Sequence, residues 1–410
     1  CADYIAQFLG EQGIKDIFLV TGGAIAHVVD AVGRRSDEVG DISYTCVVHE
    51  QAGAMAAEVY SRLSGNLGVA MATSGPGATN FITGICGCWF DSVPALFITG
   101  QVSLAESISA AEAVPRQVGF QETDIVSIVK PVVKYAYRVE DARDIRRVLE
   151  EAIAIARSGR PGPVLVDIPV NVQVADVDPA KLPRFNPRSL KDQQESDAKF
   201  SKKIDMVAKL LRAAERPVIL LGGGVRIAGA LHAAQMLIEK IQAPVVVSWS
   251  GFDLLPDDHP LLSGHIGVYG SRGANFTVQN ADLLLSIGSR LDTRQTGGRL
   301  NTFARHAKRI MVDIDRNEIE KGRGLTIDLG IVSDAARFID ALSARLGKKH
   351  MPAWSDWHAR VQKWRIQYRY PEEIVSSVDT PMSAYPFLRK LSDQLVENDV
   401  IIADEGGNLV

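Results

Sequence analysis

Glu50 is the one carboxylate in the segment His49-Glu50-Gln51-Ala52-Gly53-Ala54-Met55-Ala56-Ala57. It follows a β-like run, Ser43 to Val48, and opens a helical pattern built mostly of Ala and Gly. Ala72-Thr73-Ser74-Gly75-Pro76-Gly77-Ala78-Thr79-Asn80 comes shortly after. One acid at the end of a strand, beside small residues and a Gly/Pro loop, suits a flat, partly apolar ligand that meets a single carboxylate in a dry pocket. Burial in such a pocket raises a carboxyl pKa, as a proton-handling acid requires near neutral pH. The turns Thr21-Gly22-Gly23-Ala24 and Ser74-Gly75-Pro76-Gly77 let a ligand approach the backbone closely. Ordinary βα turns also favour glycine, so the first of them stands open to either reading. His49, beside a turn, reads as a satisfied structural group rather than a base.

A second group of polar residues lies further along. Gly222-Gly223-Gly224, followed by Gly229, invites a dinucleotide reading but is not a GxGxxG. The next strand ends in Ser248-Trp249-Ser250, where a ribose-binding acid would stand, so a standard NAD fold is not expected. Gly288-Ser289-Arg290-Leu291-Asp292-Thr293-Arg294 and Asp313-Ile314-Asp315 fall at the ends of apolar strands. Open α/β sheets bind ligands there. Two arginines can hold a pyrophosphate and a carboxylate a ribose, or the group is a surface ion-pair cluster. The chain has no GxSxG elbow, HExxH pair or Walker loop.

The elements that must position these residues follow an α/β rhythm. Ile17 to Val20, Gly68 to Thr73, Ala95 to Gly100 and Gly162 to Pro169 are almost wholly apolar, and helical patterns separate them. Such strands belong to a parallel sheet buried on both faces. Pro217 to Leu221, Ala243 to Ser248, Asp282 to Gly288 and Arg309 to Asp315 repeat the pattern. The expected fold class is therefore α/β, with tandem doubly wound parallel-sheet domains. Their expected bounds are 1–172 and 200–347, with a polar, Pro-containing linker at 173–199. A second linker, rich in Trp, Tyr and charge, is expected at 348–382. A helix from Tyr385 to Glu397 and a strand from Asp399 to Asp404 then open a third unit at 383–410, whose remainder is expected to lie outside this sequence.

At 410 residues, two or three domains are the prior, and 46% hydrophobic with 23% charged residues is a globular composition. A net charge of −4 argues against a nucleic-acid partner. No long uncharged apolar run suggests a membrane span. Cys1, Cys46, Cys86 and Cys88 are too few for a disulfide scaffold and read as buried thiols. With no positively charged n-region in Cys1 to Leu9, the expected location is cytoplasmic.

Taken together, Gly22 to Ile25, His49-Glu50-Gln51, Ala72 to Asn80, Ile98 to Val102, Phe120-Gln121-Glu122, Ser158 to Val164 and Arg290 to Arg294 resemble the large catalytic subunit of acetolactate synthase, a thiamine-diphosphate enzyme. The resemblance covers essentially the whole chain. It implies three α/β domains: pyrimidine-binding, central (FAD- or nucleotide-binding-like) and diphosphate-binding. It implies that Glu50 and Gln121 are catalytic. Glu50 would bind the aminopyrimidine N1′ and favour the imino tautomer, whose 4′-nitrogen takes the C2 proton. Gly22, Gly23, Thr73, Pro76 and Asn80 would line the thiamine site, with Gly407 and Asn408 touching the diphosphate. Ala24 and Phe120 would face the substrate, a 2-oxo acid. Gly222, Gly223, Gly224, Gly288, Arg290, Asp292, Arg294 and Asp313 would correspond to an FAD site. Magnesium is implied with the diphosphate, but the family's Gly-Asp-Gly…Asn metal signature is absent from these residues. A homodimer or homotetramer, with the site between subunits, is implied as well.

The resemblance further implies decarboxylation of a 2-oxo acid with carboligation to a second carbonyl. Two departures touch substrate access. Val170 follows Ile168-Pro169 where the family has Lys, and Pro115 to Gly119 replaces Gly-Thr-Asp-Ala. They leave open a decarboxylase or lyase of sugar or secondary metabolism. A non-catalytic truncated relative is a further alternative.

Overall fold

The computed structural model describes residues 1–113, 115–190, 194–347, 350–368 and 384–402. Two compact units divide between Asp192 and Gln193. The first holds strands β1 (Asp16–Leu19), β2 (Ser43–Cys46), β3 (Gly68–Ala72), β4 (Ala95–Gln101), β5 (Tyr135–Arg138) and β6 (Pro163–Pro169). They form one wholly parallel sheet in the order β2-β1-β3-β4-β6-β5. Alternate residues feed two cores, as the period of a strand requires. Val69, Met71, Leu96, Ile98, Val164 and Val166 face one side. Ala70, Ala72, Ala95, Phe97 and Leu165 face the other.

The helix Glu50–Ser64 owes its start to His49, whose extended backbone and Nδ1 atom cap it by accepting from Gln51 N at 3.1 Å. It ends at Gly65, in the left-handed conformation at φ +72°. Its small residues let it lie directly on β3: a Cβ on Gly68 would stand 1.9 Å from Ala57 O. The strand ahead of it differs from expectation. All four residues of β2 are exposed, because β2 is an edge strand. For the same reason Cys46 is exposed; only Cys88 of the four free cysteines is buried.

The second unit holds β7 (Pro217–Leu221), β8 (Val245–Val247), β9 (Leu262–His265), β10 (Leu283–Ile287), β11 (Lys308–Asp313) and β12 (Leu329–Val332). They too are wholly parallel, in the order β12-β11-β10-β7-β8-β9. Counted from β7, that is the doubly wound 3-2-1-4-5-6 arrangement of dinucleotide-binding sheets, with its switch point between β7 and β10. The sheet order is thus the standard one, although its glycine motif is not.

Residues 350–368, expected within a linker, instead complete this unit. The helix Ser355–Gln367 packs Trp357 and Val361 into the core beside Trp354. The indoles of Trp354 and Trp357 donate to Ala214 O at 2.8 Å and Pro217 O at 3.0 Å. The later helix is shorter than expected, Ala384–Ser392. Val400, Ile401 and Ile402 form no strand and are exposed. A strand needs a neighbour to hydrogen-bond, and among the described residues none lies beside them. Gly407 and Asn408 lie outside the described residues. Among those described, no helix is long and apolar enough to cross a membrane.

Candidate thiamine and nucleotide sites

Parallel strands bring their carboxyl ends to one edge, and the first unit's candidate residues collect there. The switch point of this sheet lies between β1 and β3. Thr73, just past β3, joins the two turns. Its Oγ1 accepts from Ala24 N at 3.2 Å, and a Cβ on Gly22 would meet its side chain at 2.5 Å. Glu50 arrives from the end of β2. Its Oε2 accepts from Asn80 Nδ2 at 2.9 Å. Its Oε1 faces Gly77, where a Cβ would stand 3.4 Å away, and has no hydrogen-bond partner among the described residues. The carboxylate sits in the first turn of its helix, where the helix dipole favours negative charge. It is half-buried rather than enclosed, since its edge-strand neighbourhood is open: Val48 is fully exposed.

Gln121 reaches this group through Gly75. Gly75 has φ +60°, and a Cβ there would lie 2.7 Å from Gln121 O. Gln121 is itself left-handed at φ +54°, a conformation that costs a side-chain-bearing residue on the order of 1 kcal/mol. Pro76 opens the short helix Pro76–Thr79 and is exposed. Gly23 faces open space, and Phe120 projects outward at 78% exposure. The structure therefore joins Glu50, Asn80, Thr73, Gly22, Ala24 and Gln121 through direct contacts or one shared glycine. It leaves Phe120 and Gly23 at the open margin.

Three supporting residues escaped sequence reasoning as site components. Gln173 Nε2 donates to Ala24 O at 2.6 Å and to Ile168 O at 2.7 Å, fixing the β1 turn. Gln101 and Asp167 pair beneath the Gln121 loop at 3.2 Å. A polar residue inside an apolar strand end, as in Val-Asp-Ile-Pro and Thr-Gly-Gln, was the available signal.

In the second unit, Gly222, Gly223 and Gly224 follow β7, Gly288, Arg290, Asp292 and Arg294 follow β10, and Asp313 ends β11. The glycines serve close packing of two turns: a Cβ on Gly222 would stand 2.2 Å from Gly288 O, and one on Gly224 would stand 2.8 Å from Gly288 Cα. Asp292 caps the short helix Thr293–Thr296 by accepting from Arg294 N at 2.8 Å and Gln295 N at 3.1 Å. Arg290 lies 4.0 Å from Asp292. Arg294 donates to Tyr269 Oη at 2.9 Å and stacks over that ring. Asp313 is buried and accepts from Asp315 N at 2.9 Å. All eight share one strand edge, at and beside the switch point. Among the described residues no three His, Cys, Asp or Glu side chains gather as a metal-ligand set.

Two wholly parallel, doubly wound α/β units, each gathering polar side chains at its strand ends, define the class as a tandem two-sheet α/β protein. Comparison with known proteins specifies it. The model of the thiamine pyrophosphate enzyme N-terminal TPP binding domain matches residues 1–128, and that of the thiamine pyrophosphate enzyme central domain matches 204–342. The acetolactate synthase isozyme 3 large subunit of Escherichia coli is 35% identical, over 97% of this chain and 68% of that protein. The acetolactate synthase large subunit of Pyropia yezoensis is 38% identical, over 96% of this chain and 65% of its own. A probable acetolactate synthase large subunit of Methanocaldococcus jannaschii is 34% identical, over 99% and 67%. The chain belongs to the thiamine-diphosphate enzyme family, with the acetolactate synthase large subunits as its relatives. It spans about two thirds of their length.

Proposed function

We propose that this chain forms the pyrimidine-binding domain (1–172) and central domain (200–347) of an enzyme that decarboxylates a 2-oxo acid and joins the product to a second carbonyl. The observation that carries this reading is the Glu50 carboxylate: Asn80 fixes one oxygen, and the other is left toward Gly77. When bound, thiamine diphosphate supplies the electron sink for the carbon that loses CO₂. Glu50 would hold a proton at the aminopyrimidine N1′ through Oε1, with Asn80 keeping the carboxylate in register. Thr73, Gly22 and Pro76 would wall the pyrimidine. Gln121 and Phe120 would face the 2-oxo acid, with Ala24 closing the opposite wall. Magnesium is proposed at the diphosphate end of the cofactor, which Gly407 and Asn408 would touch. FAD is proposed at the β7–β10 switch point, where Arg290 and Arg294 would meet its pyrophosphate. We further propose a cytoplasmic homodimer or homotetramer.

Val170 and Pro115 to Gly119 favour a second reading of the substrate, a decarboxylase or lyase of a different 2-oxo acid, within the same chemistry. The decisive experiment is Glu50→Gln with thiamine diphosphate and magnesium supplied. Gln still accepts from Asn80 but cannot take up a proton. Exchange of the cofactor's C2 proton should fall by about 100-fold or more, with circular dichroism unchanged. Exchange within a few-fold of the parent would sink the assignment.

A further inference from the structure

β6 ends in a buried carboxyl group that this chemistry does not use. Asp167 is 1% exposed in an otherwise apolar strand. A charge there is tolerated only if its oxygens are engaged. Thr99 Oγ1 donates to Oδ1 at 2.6 Å, and Gln101 Nε2 donates to Oδ2 at 3.2 Å. The register places Thr99 opposite Asp167 and Gln101 two residues on, on the same sheet face.

Gln101 then reaches beyond the sheet. Its Nε2 also donates to Thr123 O at 2.9 Å, and its Oε1 accepts from Val102 N at 3.1 Å. The amide orientation is thereby fixed, because a flip would set Oε1 against two acceptors. Thr123 lies two residues beyond Gln121, whose backbone is left-handed and seated on Gly75. The Glu122 carboxylate steadies the other side by accepting from Ile108 N at 2.9 Å and Gly119 N at 3.3 Å.

We propose that Asp167 and Gln101 are positioning residues: Asp167 orients the Gln101 amide, which ties the 120–123 segment to the sheet and keeps Gln121 seated on Gly75. The importance of Gln121 rests on the function proposed above; the tether itself does not. Hydrogen exchange of a peptide covering 119–123, measured by mass spectrometry on the whole chain, tests it. Gln101→Met keeps the side chain's length and removes both donors. Exchange there should quicken about tenfold while the helix Glu50–Ser64 is unchanged. In turnover, KM for the 2-oxo acid should rise more than kcat falls. Asp167→Leu should match Gln101→Met. Asp167→Asn can accept from Gln101 and donate to Thr99, so it should keep parental exchange.

Parental exchange in Gln101→Met overturns the proposal, and Gln101→Met decides alone should Asp167→Leu fail to fold. Fast exchange in Gln101→Met with parental exchange in a folded Asp167→Leu overturns the part given to Asp167. Parental exchange of the thiamine C2 proton in Glu50→Gln would refute the proposed function and leave the result for the 119–123 peptide standing.

Discussion

Two carboxyl groups at the same strand edge are treated in opposite ways. Glu50 keeps one oxygen toward an open gap, whereas Asp167 has both oxygens occupied and is wholly buried. Glu50 was legible in the sequence because a lone acid in a small-residue run has no packing reason to be there. Asp167 was not, because one acid within an apolar strand carries no sign of which strand will pair with it. Burial pushes the Asp167 carboxyl up to about 7 against the hydrogen bonds from Thr99 and Gln101 and the charge of Arg138, which lower it; the nearby Asp124 raises it. Between roughly pH 4 and pH 7 the folded chain therefore holds a proton that the unfolded chain has released. Asp167 makes stability fall as pH rises through that window, and its contribution is level above it. The loss is on the order of 4 kcal/mol. Asp167→Asn has no such proton, so urea midpoints at pH 5 and pH 8 should lie closer together in the variant than in the parent. Equal separations in the two would refute the assignment.

At the scale of elements, legibility followed burial. The central strands β3, β4, β6, β7, β8 and β10 are buried at every position and apolar but for a few residues such as Gln101 and Asp167, and their continuous apolar runs located them. The three strands that sequence reading passed over, β5, β9 and β12, are all at sheet edges. Tyr-Ala-Tyr-Arg, Leu-Ser-Gly-His and Leu-Gly-Ile-Val are half-buried or mixed, so neither alternation nor a continuous apolar run marks them. The helix Ser355–Gln367 was hidden differently. Its burial rests on two indoles among charged residues, and a Trp-rich charged stretch looks like a linker until its partner strand is known. That contact is testable. Trp357 is 3% exposed, so Trp357→Ala should cost about 3–5 kcal/mol in denaturant unfolding. A loss below 1 kcal/mol would mean that the helix is peripheral to the second unit.

At the scale of the molecule, the first unit presents an apolar face that water should not be asked to cover. Met55, Val59 and Leu63 recur every fourth residue along the exposed side of the helix Glu50–Ser64, with Leu63 84% exposed. The helix Ile82–Asp91 lies against it so closely that a Cβ on Gly84 would stand 2.4 Å from Ala54 Cβ. It adds the exposed Trp89 and Phe90. Full burial of side chains this large is worth about 1.5–3 kcal/mol each, and patches of this kind mark interaction sites. Val48, Met55 and Val59 belong to the same strand-to-helix segment as Glu50. A second copy seated on this face would therefore also close the open neighbourhood of that carboxylate. Val59→Glu with Leu63→Lys tests this without weakening the helix, because Glu four residues ahead of Lys supports it and a cation suits its last turn. Sedimentation at micromolar concentration should show the parent as a dimer or tetramer and the double variant as a lighter species with unchanged helicity. Thiamine diphosphate affinity should fall together with association, since in the proposed oligomer the partner would complete the pocket. A double variant that dissociates yet binds the cofactor as tightly as the parent would separate the two and show that Glu50 works within a single chain.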